Sequence, residues 1–177
     1  GKMNYGQARA YAVNVSRSGS ILGLDSIENL MHELGDIQER LKIIHIAGTN
    51  GKGSTGAYLE RVLIEAGYRV GRYSSPAVFD PMEVWRINLQ SMSHEEYADI
   101  MEQVKCACDR MVEKGMEHPT IFEVETAMAF LYFYQKKCDY VLLEVGMGGR
   151  TDATNVIRKP VCSVITSVSM DHMQFLG

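Results

Sequence analysis

The run Gly48-Thr49-Asn50-Gly51-Lys52-Gly53-Ser54 has the residue types of a phosphate cradle. It follows an apolar segment, Ile43-Ile44-His45-Ile46-Ala47, and leads into a helix-forming stretch from Ser54 to Ala66. Glycines in such a bend let backbone N–H groups approach phosphate oxygens. The helix N-terminus adds partial positive charge, and Lys52 can reach the terminal phosphates. Strand, glycine bend, lysine and helix, in that order, indicate a nucleoside triphosphate site of the P-loop kind. Two positions depart from G-x-x-x-x-G-K-[ST]: Ile46 stands where the first glycine belongs, and Gly53 follows the lysine. The hydroxyl that would bind Mg²⁺ has moved to Ser54 or has been lost. If it is lost, another oxygen must replace it, because Mg²⁺ demands near-octahedral oxygen coordination. The plain alternative, a glycine turn with an incidental lysine, is disfavoured by the glycines on both sides of Lys52.

Three other groups of chemically capable residues fall where apolar runs end. Glu144 closes the run Leu142-Leu143-Glu144-Val145 before a glycine turn, a placement suited to holding Mg²⁺ or a water in its shell. Asp171-His172 follows the last apolar run and could orient a metal-bound water or serve structure alone. Ser74-Ser75-Pro76 offers hydroxyls that could replace the ligand missing after Lys52. Thr120 and Glu123 are explained by helix capping and Phe122 by core packing, so residue chemistry alone gives these three no ligand role.

The elements that must position these groups follow from periodicity. Lys42–Ala47, Tyr68–Tyr73, Asp139–Val145 and Val161–Val168 read as strands, the last two apolar throughout, as in a sheet covered on both faces. Asp25-x-x-Glu28, Ser93-x-x-Glu96 and Thr120-x-x-Glu123 have capping-box form and open three helices. The first carries Ile27, Leu30, Met31 and Leu34 at helical spacing, and the second a stripe from Tyr97 to Met111. The third is almost wholly apolar from Ala127 to Tyr134 and should be buried on most sides. Ser74–Met92 has two prolines and no steady period, and reads as a long ordered loop of the kind that is usually functional. Strands alternating with helices predict an α/β fold, a doubly wound and mostly parallel sheet with helices on both faces, with ligands at the carboxyl ends of its strands.

The bulk properties agree. At 177 residues the chain suits one well-filled domain, and 46% hydrophobic with 23% charged residues is the composition of a soluble globular protein. A formal net charge of −4 and the lack of a basic run argue against nucleic acid as a partner. No apolar run approaches the roughly 20 residues of a membrane helix. No apolar signal segment opens the sequence, and Gly1-Lys2 before Met3 reads as a cloning remnant. Cys106, Cys108, Cys138 and Cys162 lack C-x-x-C spacing and are expected to be buried, reduced thiols of a cytoplasmic protein.

Taken together, the motifs resemble the N-terminal, ATP-binding domain of folylpolyglutamate synthases, a branch of the Mur ligase superfamily that includes bifunctional dihydrofolate synthases. The blocks that carry the resemblance are His45–Ser54, Ser74-Ser75-Pro76 with Arg86-Ile87-Asn88, Thr120–Glu123, Glu144–Asn155, and Asp171-His172 with Leu176-Gly177. A G-T-N-G-K-G-S loop followed by E-V-G-x-G-G-R-x-D-A-T-N is highly specific in combination. The resemblance implies the P-loop NTPase-like central domain of the Mur ligases, with residues 1–177 a single domain and the family's C-terminal, glutamate-binding domain outside this sequence. It implies ATP held by Gly48, Thr49, Asn50, Gly51, Lys52, Gly53 and Ser54. Mg²⁺ would be served by Ser75, Glu144 and His172, with Lys52, Glu144 and His172 as the catalytic set. Leu22, Thr120, Phe122, Asp152 and Ala153 match positions lining the pterin pocket. Between Ala77 and Trp85 the family's basic-aromatic and E-R-I segments are missing.

The activity so implied is ATP-dependent ligation of L-glutamate to folate through an acyl phosphate, with dihydropteroate as a further acceptor. Small molecules would be the partners of a monomer, with neither nucleic acid nor membrane. Two other readings stay open: a Mur-type ligase acting on a cell-wall nucleotide-peptide, and a non-catalytic module that binds nucleotide for a partner. The second would leave Glu144 and His172 without purpose.

Overall fold

A computed structural model of the chain describes residues 1–18, 24–47, 52–74, 77, 79–144 and 162–165, with backbone alone for 24, 25, 47, 52–55 and 162–165. Five helices are described: α1 (Tyr5–Arg17), α2 (Leu24–Glu33), α3 (Lys52–Glu65), α4 (His94–Glu113) and α5 (Ile121–Gln135). The strands are β1 (Ile43–Ala47), β2 (Val70–Ser74), β3 (Trp85–Ile87), β4 (Gln90–Ser91), β5 (Tyr140–Glu144) and β6 (Cys162–Ile165). They form one sheet in the order β4-β3-β2-β5-β1-β6. The four strands from β2 to β6 are parallel, and β3 and β4 add an antiparallel edge. The doubly wound, mostly parallel sheet expected from the sequence is therefore present.

Alternation along the strands sorts the side chains onto two faces. Ile44, Ile46, Val70 and Leu142 pack with Leu59, Leu63 and Ile64 of α3. Ile43, Tyr73, Val141 and Leu143 belong to the larger core on the other face, with α1, α2, α4 and α5. The chain moves from β1 through α3 to β2 on one face and returns through α5 to β5 on the other. In sheets of this kind ligands bind outside the carboxyl ends of the strands where that direction reverses, here β1 and β5. A side chain at Gly71 would stand 2.6 Å from the Phe133 ring, so the close seating of α5 on β2 requires glycine there.

Local signals explain most boundaries. Ser93 and Thr120 cap α4 and α5 with both halves of the capping box formed. Gly67 ends α3 at φ 94°, its N–H donating to Ile64 O and that of Tyr68 to Leu63 O, a left-handed stop that glycine adopts freely. The body of α5 from Val124 to Phe133 is buried, apart from Glu125, as its composition requires. None of the described helices is long and apolar enough to cross a membrane.

The structure corrects the sequence reading at four places. Residues 74–92 are not one loop: a 3₁₀ turn at Pro81–Val84 leads into β3 and β4, joined through Asn88 and Leu89 at φ 47° and 73°. Positive φ at both central residues matches the right-handed twist of a hairpin. The indole of Trp85 is fully buried there and donates to Glu125 O at 3.1 Å. Asp25 lies inside α2 and not at its cap. Helix α1 went unread, although Asn4 and Gln7 form a capping box and Ala8, Ala12 and Val15 make its buried stripe. Among the cysteines whose side chains are described, Cys108 is buried and Cys138 half-buried, but Cys106 is exposed; all three are free thiols.

Candidate active site at the strand ends

Register brings the ends of four parallel strands together. Glu144, last residue of β5, pairs with Ile46 on β1 and Ser74 on β2, and Ala47 pairs with Ile165 on β6. Lys52 opens α3, with Gly53 and Ser54 in its first turn. Positive helix-end potential therefore stands close in sequence to the end of β1. Gly48, Thr49, Asn50 and Gly51 complete the link but lie outside the described residues, as do Leu22, Ser75, Asp152, Ala153 and His172. The side chain of Lys52 is likewise outside them.

The carboxylate of Glu144 is buried in a network that the sequence reading missed. Arg72 Nε donates to Glu144 Oε1 at 2.6 Å, and Arg72 Nη2 lies 2.5 Å from the same oxygen. Arg72 Nη1 donates to Glu60 Oε1 at 2.9 Å, and Arg86 Nη2 stands 3.6 Å from that oxygen. Ser74 Oγ donates to Glu144 Oε2 at 3.2 Å. The side chains of Arg72, Glu60 and Glu144 are 8%, 0% and 4% exposed, so mutual pairing is what makes their burial tolerable. Gly56 in α3 lets the carboxylate fit: an added Cβ would overlap Glu144 Oε1 and stand 2.8 Å from its Cδ. A signal for Glu60 was present, since it falls on the inward stripe of α3 with Gly56, Leu59, Leu63 and Ile64. Arg72 sits between apolar neighbours on a strand, where a charge has to find a partner.

Thr120 and Phe122 stand at the start of α5. Thr120 N donates to Glu123 Oε1 at 2.8 Å and Thr120 Oγ1 accepts from Glu123 N at 3.2 Å, while Phe122 is nearly buried. Tyr73 meets Thr126 across the sheet face and Gly71 meets Phe133, so α5 runs against β2. Its N-terminus therefore points toward the same strand ends as Glu144. His45 on β1 is half-buried, with no hydrogen-bond partner for Nε2 among the described residues, and burial lowers its pKa below the ordinary imidazole value.

A doubly wound sheet with a P-loop type sequence after its first strand and a buried acid at the end of the neighbouring strand defines an α/β domain of the nucleotide-binding kind. The chain belongs to the Mur ligase family: the family's middle domain, "Mur ligase middle domain", matches residues 46–177. It is 40% identical over 174 residues to the dihydrofolate synthase/folylpolyglutamate synthase of Bacillus subtilis, covering 98% of this chain and 40% of that protein. A folylpolyglutamate synthase solved with AMPPCP and folate superposes with a TM-score of 0.83 at 36% identity, covering 92% of this chain and 40% of the other. A bifunctional folylpolyglutamate synthase/dihydrofolate synthase with Mn, AMPPNP and L-glutamate bound gives 0.78 at 38% identity, covering 90% and 37%. The chain thus spans about two fifths of the length of these relatives.

Proposed function

We propose that this chain is the ATP-binding part of a ligase that joins the amine of L-glutamate to a folate γ-carboxylate, and that dihydropteroate is accepted as well. The observation that carries the reading is Glu144, a buried carboxylate at the end of β5, in register with β1 and β2 and seated on Gly56 of α3. The relatives and their bound ATP analogues, folate and glutamate support it. Residues 1–177 then form a single N-terminal ATP-binding domain, and the glutamate-binding part belongs to a further domain.

Of the proposed donors Glu144 has a described side chain, and a carboxylate oxygen is the kind of ligand Mg²⁺ takes. Among the described residues no three His, Cys, Asp or Glu side chains cluster to hold a metal by themselves. Mg²⁺ suits such a site because it keeps several waters and takes one or two carboxylates beside phosphate oxygens. In this reading Ser75, Glu144 and His172 hold Mg²⁺. Lys52 and the amides of Gly48 to Ser54 hold the triphosphate, and Leu22, Thr120, Phe122, Asp152 and Ala153 line the pterin pocket. Bound Mg²⁺ supplies charge neutralisation at the phosphates. The protein contributes position: the strand ends fix Glu144, and the first turn of α3 fixes where the Lys52 side chain begins. The free thiols of Cys106, Cys108 and Cys138 suit a cytoplasmic protein, and we read it as a monomer.

The test is ADP release by the intact protein with ATP, L-glutamate and one carboxylate at a time. Folate or dihydropteroate should stimulate release and gain one glutamate. Stimulation by a cell-wall nucleotide-peptide alone would assign another Mur-type activity. ATP binding without stimulation by any acceptor would leave a nucleotide-binding module.

A further inference from the structure

We infer that Arg72 is a positioning residue for the Glu144 carboxylate, holding Oε1 inward so that Oε2 is the oxygen that serves the metal. This rests on the Mg²⁺–ATP reading above. Two Arg72 nitrogens converge on Oε1, at 2.6 and 2.5 Å, whereas Oε2 accepts from the Ser74 hydroxyl. A cation can therefore be served without breaking the ion pair only through Oε2, one oxygen at a time.

Arg72 is itself held. Its third nitrogen donates to Glu60 on α3, and Glu60 is fully buried. Glu60 lies eight residues after Lys52, about two turns along the helix whose first turn follows the glycine-rich sequence. Charged hydrogen bonds thus run from α3 through β2 to the end of β5. The helix that begins at Lys52 and the strand that presents the acid are fixed to each other by one guanidinium. Its planar fork suits this task, because it can reach two carboxylates in set directions where an ammonium offers a single point charge.

Stability alone gives no reason for the arrangement. An apolar cluster of the same volume commonly does as well as buried ion pairs or better. Val70 and Leu142 fill the same sheet face with ordinary apolar packing a few ångströms along the strands. The cluster sets two arginines, Arg72 and Arg86, against two carboxylates, Glu60 and Glu144, so Oε1 is oriented without loading the site with excess formal charge. Outer partners that orient a ligating carboxylate in this way are typically worth 10–100-fold in metal affinity.

The experiment titrates Mn²⁺ onto the intact protein saturated with AMPPCP, followed by the electron paramagnetic resonance signal of free Mn²⁺. Wild type is compared with Arg72→Lys, Glu60→Gln and Glu144→Ala, and thermal unfolding is recorded for each. Arg72→Lys keeps the charge but cannot keep two donors on Oε1 and one on Glu60. We expect Mn²⁺ to bind it ~10–100-fold more weakly, with metal-free AMPPCP affinity unchanged. Glu60→Gln touches no ligand, replaces the charged acceptor of the far Arg72 arm with a neutral amide oxygen and leaves the cluster one charge more positive, so it should also weaken Mn²⁺, by less. Wild-type Mn²⁺ affinity in Arg72→Lys, with only a lowered unfolding temperature, would overturn the inference and make Arg72 a packing residue. If that variant does not fold, wild-type affinity in Glu60→Gln overturns it instead. Unchanged Mn²⁺ affinity in Glu144→Ala would overturn the metal site itself, and is thereby distinguished from failure of the Arg72 role alone.

Discussion

Arg72 and Glu144 form a buried ion pair across neighbouring parallel strands, with two guanidinium nitrogens of Arg72 on a single oxygen, Oε1, of Glu144. The pair stands on the face of the sheet covered by α3, and only a glycine at position 56 leaves room for it. It joins the packing of the domain to the candidate site, so changes made for one should be felt in the other.

Gly56→Ala sets two effects against each other. Alanine inside a helix gains roughly 0.5–1 kcal/mol over glycine. Here its Cβ would collide with Glu144 Oε1, and overpacking typically costs about 1–3 kcal/mol. The collision should win. Urea unfolding is expected to show a net loss of stability, and a gain would mean that the carboxylate has room to move aside.

Lys52→Ala should remove an anchor and a charge from the triphosphate. Turnover in the intact protein is expected to fall at least ~10²-fold, as when other preorganised electrostatic groups are removed. Steady-state ADP release measures it. Activity near wild type would refute the role given to Lys52.

His45 gives stability a pH dependence. Burial holds its native pKa below 6.5, so between the native value and 6.5 the unfolded chain takes up a proton that the native state resists. Stability should thus fall as pH drops through 6.5 toward the lower native value, and this term should be absent above it. His45→Leu, which removes the titrating ring, should flatten that part of the profile in urea midpoints measured from pH 5 to 8. The same slope in both proteins would place the titrating group elsewhere.

Thiol reactivity should separate the cysteines. Burial pushes Cys108 and Cys138 up to about 12, whereas Cys106 is exposed on the outer side of α4. The thiolate is the reactive form, so alkylation of the folded protein at pH 8 should modify Cys106 well before Cys108 or Cys138. Peptide mass analysis after brief labelling reads the order, and equal labelling would contradict the burial of Cys108 on α4 and the partial burial of Cys138 after α5.

Much of this architecture was legible in the residues. Capping boxes at Ser93 and Thr120, apolar runs at β1, β2 and β5, and the glycine-lysine link gave the strand–helix alternation and with it the place of Glu144. What escaped shares a physical cause. The β3–β4 hairpin is too short to show a period, and its partner β2 lies more than ten residues away, so only tertiary pairing reveals it. Helix α1 buries small residues, Ala8, Ala12 and Val15, whose stripe is weak against a polar background. The Glu60–Arg72–Glu144 network joins three separate elements, and no local pattern encodes which buried charge meets which. The assignment of Thr120 and Phe122 to a pterin pocket came from family resemblance alone. Their observed contacts are those of a helix cap and its packing.

A crystal structure of the intact protein with AMPPCP and Mn²⁺, read by the anomalous signal of manganese, puts the site to its sharpest trial. The expected result is a manganese peak at coordination distance from Glu144 Oε2, the triphosphate against residues 48–54, and Arg72 still on Oε1. Manganese and nucleotide bound away from the ends of β1 and β5, with Glu144 bonded only to Arg72 and Ser74, would contradict the assignment.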